Sequence, residues 1–268
     1  MRRLHKTLRP GIVVCLLACC CAGASIASFE GLAQAQSGSR VELGLLQVGK
    51  SSEAGRLSAL EHLSAEITRR TSIETAPRAF FVPANSKDLY RFPFLLLAAN
   101  RPLPELVLAE RNALATWLQM GGMLVIDWQG GGADLESFRG SLEEWLQGIL
   151  PGRRLERISR GGVLYRSFYR LTFATGRIRL VDDLYGVALD DRYAVVVMFN
   201  DALGAVERKN DGNFLHEVVP GGEPQREQAI RLLVNFVVYA LCQDYKDDKV
   251  HLDYLKSKRN WRLPGDKP

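Results

Sequence analysis

The sequence is poor in the residues that carry most familiar chemistry. Of five cysteines, Cys15, Cys19, Cys20 and Cys21 crowd into one early apolar stretch, and only Cys242 lies further on. A single later cysteine excludes an internal disulfide there, and as part of an apolar helix Cys242 is expected in the core. The histidines are few, and none stands in His-x-x-x-His spacing. No Cys-x-x-Cys pair occurs either, so a structural zinc site is not expected and no metal ligand is assigned. A Gly-x-Ser-x-Gly elbow is absent. Amidotransferase chemistry needs a cysteine on a tight strand-to-helix turn with a histidine beside it, and Cys242 does not meet that need. No Gly-x-Gly-x-x-Gly or Gly-x-x-x-x-Gly-Lys-Ser/Thr follows a strand, so no nucleotide cofactor is expected.

Charge of one sign is also scarce. The formal net charge is +5 over 268 residues. Much of it sits at the two ends. Arg2, Arg3, Lys6 and Arg9 open the chain, and Lys246, Lys249, Lys256, Lys258, Arg259, Arg262 and Lys267 mark a basic tail over 246–268. The segment between is near neutral, which argues against a nucleic-acid partner. The tail reads either as a solvated extension or as a weak contact for a membrane surface.

The N-terminus has three parts: a basic start, an apolar run from Gly11 to Ala27, and Leu32-Ala33-Gln34-Ala35 with small residues at the −3 and −1 positions. This is the pattern of a signal peptide cleaved after Ala35, which predicts a periplasmic or secreted protein. Two alternatives stay open. Leu16-Leu17-Ala18-Cys19 is a loose lipobox, with lipidation at Cys19. The apolar run is also long enough for an uncleaved anchor.

From residue 36 to 245 the pattern predicts one α/β domain. Strands are expected at Val41–Gln47, Phe80–Val82, Phe92–Ala99, Met123–Trp128 and Tyr193–Phe199, with short ones near Leu155–Ile158, Val163–Tyr165 and Arg177–Val181. Helices are expected at Glu53–Arg70, Glu105–Met120, Asp134–Gln147 and from Pro224 to about Asp244. Continuous apolar strands such as FPFLLLAA and MLVIDW are those of a strand buried on both faces. Strand–helix alternation then predicts a three-layer sandwich with a mostly parallel sheet and helices on both faces.

Several segments together resemble a known family. They are Pro93–Leu97, Gly121–Asp127, Arg166-Ser167-Phe168-Tyr169, Asn200-Asp201 with Gly204-Ala205, Pro220-Gly221-Gly222-Glu223 through Glu227, and Tyr239–His251. In order and spacing they resemble the bacterial domain-of-unknown-function family 4159. The resemblance implies a class I glutamine amidotransferase-like, flavodoxin-like fold. It also implies an envelope protein partner, in the setting of MoxR-type ATPase and von Willebrand A-domain systems. Two positions depart from the family's pattern. Ser159-Arg160-Gly161-Gly162 replaces an acidic–His pair, and Trp128 replaces a second acidic residue.

In open α/β sheets, ligands bind beyond the carboxyl ends of the strands. Asp127, Asn200 and Asp201 fall at such ends, and Gly221, Gly222, Glu223 and Arg226 form a glycine loop before a helix. Exposed loop N–H groups there would suit an anion. The same residues also suit a plainer role: Asp127 and Asp201 capping turns, and Glu223 and Gln225 serving the first helical turn. No catalytic residue is assigned. The expectation is a non-catalytic binding module of the cell envelope. The alternative is a carboxylate- or metal-dependent hydrolase using Asp127 and Asp201, which requires the two to converge in a concave pocket.

Overall fold

The computed structural model describes residues 40–49 and 56–258, with side chains up to 242. The segment expected to be a signal peptide, with Cys19 and Ala35, and the basic side chains of the tail lie outside the described residues. The elements in chain order are β1 Gly44–Gln47, α1 Leu57–Arg70, β2 Phe80–Pro83, β3 Phe94–Ala99, α2 Leu108–Gln119, β4 Met123–Trp128, α3 Leu135–Ile149, β5 Glu156–Arg157, β6 Tyr185–Leu189, β7 Arg192–Met198, α4 Ala202–Val206 and α5 Gly222–Lys258.

β3 and β4 are buried at every position, so their apolar runs fill both faces of the sheet centre. The seven strands lie in the order β2-β1-β3-β4-β7-β6-β5. The first five are mutually parallel, while β6 and β5 extend the sheet antiparallel. Two apolar cores result, one per face. α1, α4 and α5 cover one through Leu60, Leu63, Leu203, Leu233 and Phe236. α2 and α3 cover the other through Leu114, Trp117, Phe138, Leu142 and Trp145. The α2–β4 turn is tight because Trp117 folds over Gly122, where a Cβ would lie 2.3 Å from its ring. The indole N–H of Trp117 then donates to the Phe92 carbonyl at 2.8 Å.

The second half departs from expectation in four places. Val163–Tyr165 is a single 3-10 turn, not a strand. Arg177–Val181 is not a strand either. Its Leu180 and Val181 N–H groups donate to the Asn200 side chain, at 2.8 and 3.0 Å, in place of a neighbouring strand. The missed strand is β6, which turns into β7 through Asp190 in the left-handed region at φ 53°. Gly186 lets β6 pair closely, since a Cβ there would lie 2.8 Å from the Val195 carbonyl oxygen. The last helix also runs on to Lys258, because neither Gly nor Pro interrupts the sequence between Tyr245 and Lys258.

One side chain is placed differently from expectation: Cys242 is exposed, not in the core. The side chain of His62, on α1, is only 12% exposed. Within α5, the fully buried Asn235 accepts from the Phe168 and Tyr169 N–H groups and donates to the carbonyls of Leu164 and Tyr169. The Arg166–Tyr169 stretch is therefore held by the helix behind it. Ser167 donates to the Val163 carbonyl at 2.8 Å, a local structural bond.

Candidate functional site at the strand ends

β4 and β7 run side by side and end together. Beyond β7 the chain reverses through Asp201, which takes the left-handed conformation (φ 52°, ψ 59°) and opens α4. Aspartate tolerates that region better than most residues because its short side chain bonds locally. The first three N–H groups of α4 all meet carboxylates. Ala202 and Leu203 donate to the two oxygens of Asp127, at 3.0 and 2.8 Å. Gly204 donates to Asp201 at 2.9 Å. The two aspartates thus converge on one short turn, and both are fully buried.

Cations answer one of them. Arg177 donates its Nε to Asp201. Arg56 reaches Asp201 at 3.3 Å and Glu207 at 2.5 Å. Glu207 in turn contacts His216 Nε2 at 3.1 Å. Three carboxylates therefore face two guanidinium groups, and among the described residues Asp127 is the one without a direct cation contact. Burial, then the neighbouring Asp201 charge, pushes its carboxyl up to about 7.

The other proposed rim residues are likewise engaged. Asn200 is fully buried, and besides its two bonds to the 180–181 backbone it donates to the carbonyls of Ala174 and Val181, at 3.2 and 2.7 Å. Gly221 N–H donates to Gln225 Oε1 at 3.0 Å, and Gly222 N–H to the Val218 carbonyl at 3.1 Å. With both N–H groups bonded inward, the glycine pair offers no anion cradle. Arg226, 4% exposed, bonds Glu223, the Ala205 carbonyl and the His216 carbonyl. Glu223 stays open, with a side chain 70% exposed. Trp128 stacks on Phe138 with ring centroids 4.3 Å apart.

The spacing Gly44-x-x-x-x-Gly49-Lys50-Ser51 does occur, and a phosphate loop has that spelling. Here its first four residues are β1 itself, paired with β2 on one side and β3 on the other. A phosphate loop must leave the strand before its first glycine, so this run is not one. Gly44 serves packing: a Cβ there would lie 2.7 Å from Leu95 and 2.8 Å from Val82. Lys50 and Ser51 lie outside the described residues.

Sequence reasoning missed Arg56, Gln129, Arg177, Glu207 and His216. Arg56 Nε donates to Gln129 Oε1 at 3.0 Å. The other end of that amide, Gln129 Nε2, is buried with no partner, although the residue is only 8% exposed. A buried donor left unpaired is costly, and each such group calls for an explanation. Position 129, next to a β4 end, was the available signal. The partners came from α1 and from segments after β5 and α4, which no local pattern links.

His62 sits behind this cluster. Its ring nitrogens lie 3.1 Å from Arg208 Nε, and its ring meets Phe214 edge-on. The guanidinium groups of Arg208 and Arg226 cover Phe214 at 4.1 and 3.8 Å from its centroid. Burial, then the Arg208 charge, lowers the His62 pKa to about 4. Glu66, 3.7 Å away, pulls the other way but is shared with Arg69 and Arg70. A folded-state pKa below the unfolded one means the unfolded chain binds the proton first. Stability from this group is full above pH 6.5 and falls as the pH drops towards 4. The wild-type chain should lose about 2–3 kcal/mol more than His62→Gln between pH 7 and pH 4, measured by urea unfolding at each pH. Equal losses in both would place the His62 titration elsewhere.

Among the described residues, no group of three His, Cys, Asp or Glu side chains is placed to hold a metal ion, and no helix is long and apolar enough to cross a membrane. No curated protein matches the sequence. The profile of the family described as Domain of unknown function (DUF4159) matches residues 40–241, most of the chain, and the chain belongs to that family.

Proposed function

We propose that the chain is a non-catalytic binding module of the cell envelope, exported by its N-terminal segment, with a flavodoxin-like, class I glutamine amidotransferase-like fold. The order β2-β1-β3-β4-β7 supports the fold reading, since it follows the doubly wound 2-1-3-4-5 pattern whose ligands sit at the strand ends. The observation that carries the binding reading is the unpaired, buried Gln129 amide beside Arg56. A partner that offers a hydrogen-bond acceptor at this edge would complete it, and His216, with a side chain 36% exposed, lies at the open side of the same network.

Asp127 and Asp201 support the non-catalytic part. A hydrolase would need at least one carboxylate turned to a pocket, whereas both are enclosed and engaged by the α4 backbone. The partner we favour is an envelope protein, as the family's setting suggests. A photocrosslinking residue at the exposed Glu217, next to His216, tests this in intact cells. The expected result is a discrete adduct with one envelope protein, lost when Gln129→Leu removes the unpaired amide. Adducts of the same size from the exposed Met120, on α2's side of the sheet, would sink the assignment.

A further inference from the structure

Between α4 and α5 the chain makes a short hairpin. Leu215 N–H donates to the Glu207 carbonyl at 2.9 Å, Lys209 N–H to the Asn213 carbonyl at 2.8 Å, and Gly212 N–H back to the Lys209 carbonyl at 3.0 Å. Residues 209–213 are exposed. Val206 and Val218 belong to the apolar core under α1 and α5, but none of the described residues between them belongs to either core. The hairpin is therefore fastened by polar and aromatic side chains, and a two-stranded hairpin without such fastening is marginal in water.

The fastening has two levels. At the base, Arg56 holds Glu207, and Arg226 of α5 donates to the Ala205 and His216 carbonyls. Further out, the ring of Phe214 lies between the guanidinium groups of Arg208 and Arg226, and the His62 ring of α1 meets it edge-on, with centroids 5.8 Å apart. Arg208 Nε lies 3.1 Å from both ring nitrogens of His62, while its Nη1 donates to the Gly212 carbonyl. One side chain thus joins the hairpin tip to α1.

That joint demands a neutral imidazole. A guanidinium only donates, and a neutral histidine has one ring nitrogen free to accept. Protonation makes both ring nitrogens donors, so the bond is lost and a second cation stands against Arg208. The other charged groups nearby are already engaged. On α1, Glu66 is 3.7 Å from His62 but binds Arg69 and Arg70. On α5, Arg226 adds positive charge behind Phe214, and Glu227 binds Arg70 and Arg231. On the hairpin, Glu207 is shared by Arg56 and His216, and Asp211 accepts from the Asn213 N–H at the tip.

We propose that hairpin 207–215 is an acid-released latch, shut on α1 while His62 is neutral and freed over residues 208–214 when His62 is protonated. The base stays held by Arg56 and Arg226. Release uncovers the Phe214 ring and the α1 surface around His62. Burial and the Arg208 charge lower the His62 pKa to about 4, which is the same coupling seen from the ring: closing the hairpin weakens its hold on a proton, and opening restores it. The latch does not depend on the strand-end binding reading.

The test is amide hydrogen exchange on the full chain at pH 7 and pH 4, expressed as protection factors so that the intrinsic pH dependence of exchange divides out. Protection of the Lys209 and Gly212 amides is expected to fall about 100-fold between the two. That is the change produced by a His62 pKa of about 6.5 in the open hairpin and about 4 in the closed one. At both pH values it should stay below that of the Met123 amide, which is bonded to the Pro93 carbonyl in the sheet. His62→Gln supplies an acceptor that does not titrate, and the fall should shrink to about threefold or less. Arg208→Met removes the donor and should lower both protections about tenfold already at pH 7. The proposal is overturned by hairpin amides as protected as Met123, by a fall that His62→Gln retains, or by unchanged protection in Arg208→Met at pH 7.

Discussion

Gly176→Ala should destabilise the chain by at least about 3 kcal/mol, the largest effect of any single methyl addition near the site. A Cβ at this position would lie 2.1 Å from the Asn200 carbonyl oxygen, 2.6 Å from its carbon and 2.7 Å from the Ala202 nitrogen. All three are backbone atoms, so no side chain can swing aside. The segment is also tied on both sides. Arg177 and Ile178 N–H groups donate to the Asp201 and Asn200 carbonyls, and the Gly176 carbonyl accepts from Gln225 at 2.8 Å. Moving residue 176 therefore disturbs the β7 exit, the α4 turn and the start of α5 together. Gly131→Ala is the control: nothing lies within 4 Å of its Cβ position, and its effect should stay within about 0.5 kcal/mol. Urea unfolding midpoints of the two variants decide the matter, and equal midpoints would refute this account of the turn.

Asp127→Ala comes next, with an expected loss of about 3–5 kcal/mol. It strands the buried N–H groups of Ala202 and Leu203 without their acceptor. Asp127→Asn keeps one acceptor oxygen but turns an amide N–H towards the other donor, and should cost less, about 1–3 kcal/mol. The pH dependence tells the two states of Asp127 apart. Its folded-state pKa is raised to about 7, so between pH 4 and 7 the folded chain holds a proton that the unfolded chain has released. Wild-type stability from this group is therefore greatest at low pH and falls as the pH rises through that window. Asparagine has no such dependence, and the gap between wild type and Asp127→Asn should narrow from pH 4 to pH 7. A constant gap would mean that Asp127 is already ionised at pH 4, held so by the two N–H groups and Arg56. Either variant, if stable, should retain any partner adduct formed from position 217, because Asp127 never reaches the surface.

Much of the architecture was legible in the chain. The runs at 94–99 and 123–128 are apolar at nearly every position, which only a doubly covered strand explains. The helices between them carry one apolar stripe each, and so lie on the sheet's faces. β6 was not legible, since a short strand with a glycine looks no different from the loops around it. The run at 177–181 read as a strand, but its N–H groups pair with the Asp201 and Asn200 carbonyls and, at Leu180 and Val181, with the side chain of Asn200. That substitution of a side chain for a strand leaves no periodic trace.

The candidate site divides in the same way. Asp127, Asn200 and Asp201 could be placed at strand ends from their positions alone, and they are there. Whether such residues face a ligand or hold a turn depends on where Arg56, Arg177 and the α4 backbone lie, and those come from segments up to 145 residues apart in the chain. Long-range packing also isolates the Gln129 amide and the Arg111 and Trp145 donors, because a missing partner is a property of the folded surroundings and of no one residue. The sequence by itself determined the layers, the buried central strands and the family. Only the tertiary structure decided that the two aspartates are buried in hydrogen bonds to the α4 turn and that the Gln129 amide beside Arg56 is left unpaired. Burial and hydrogen-bond satisfaction are set by neighbours distant along the chain, whereas apolar periodicity is written locally.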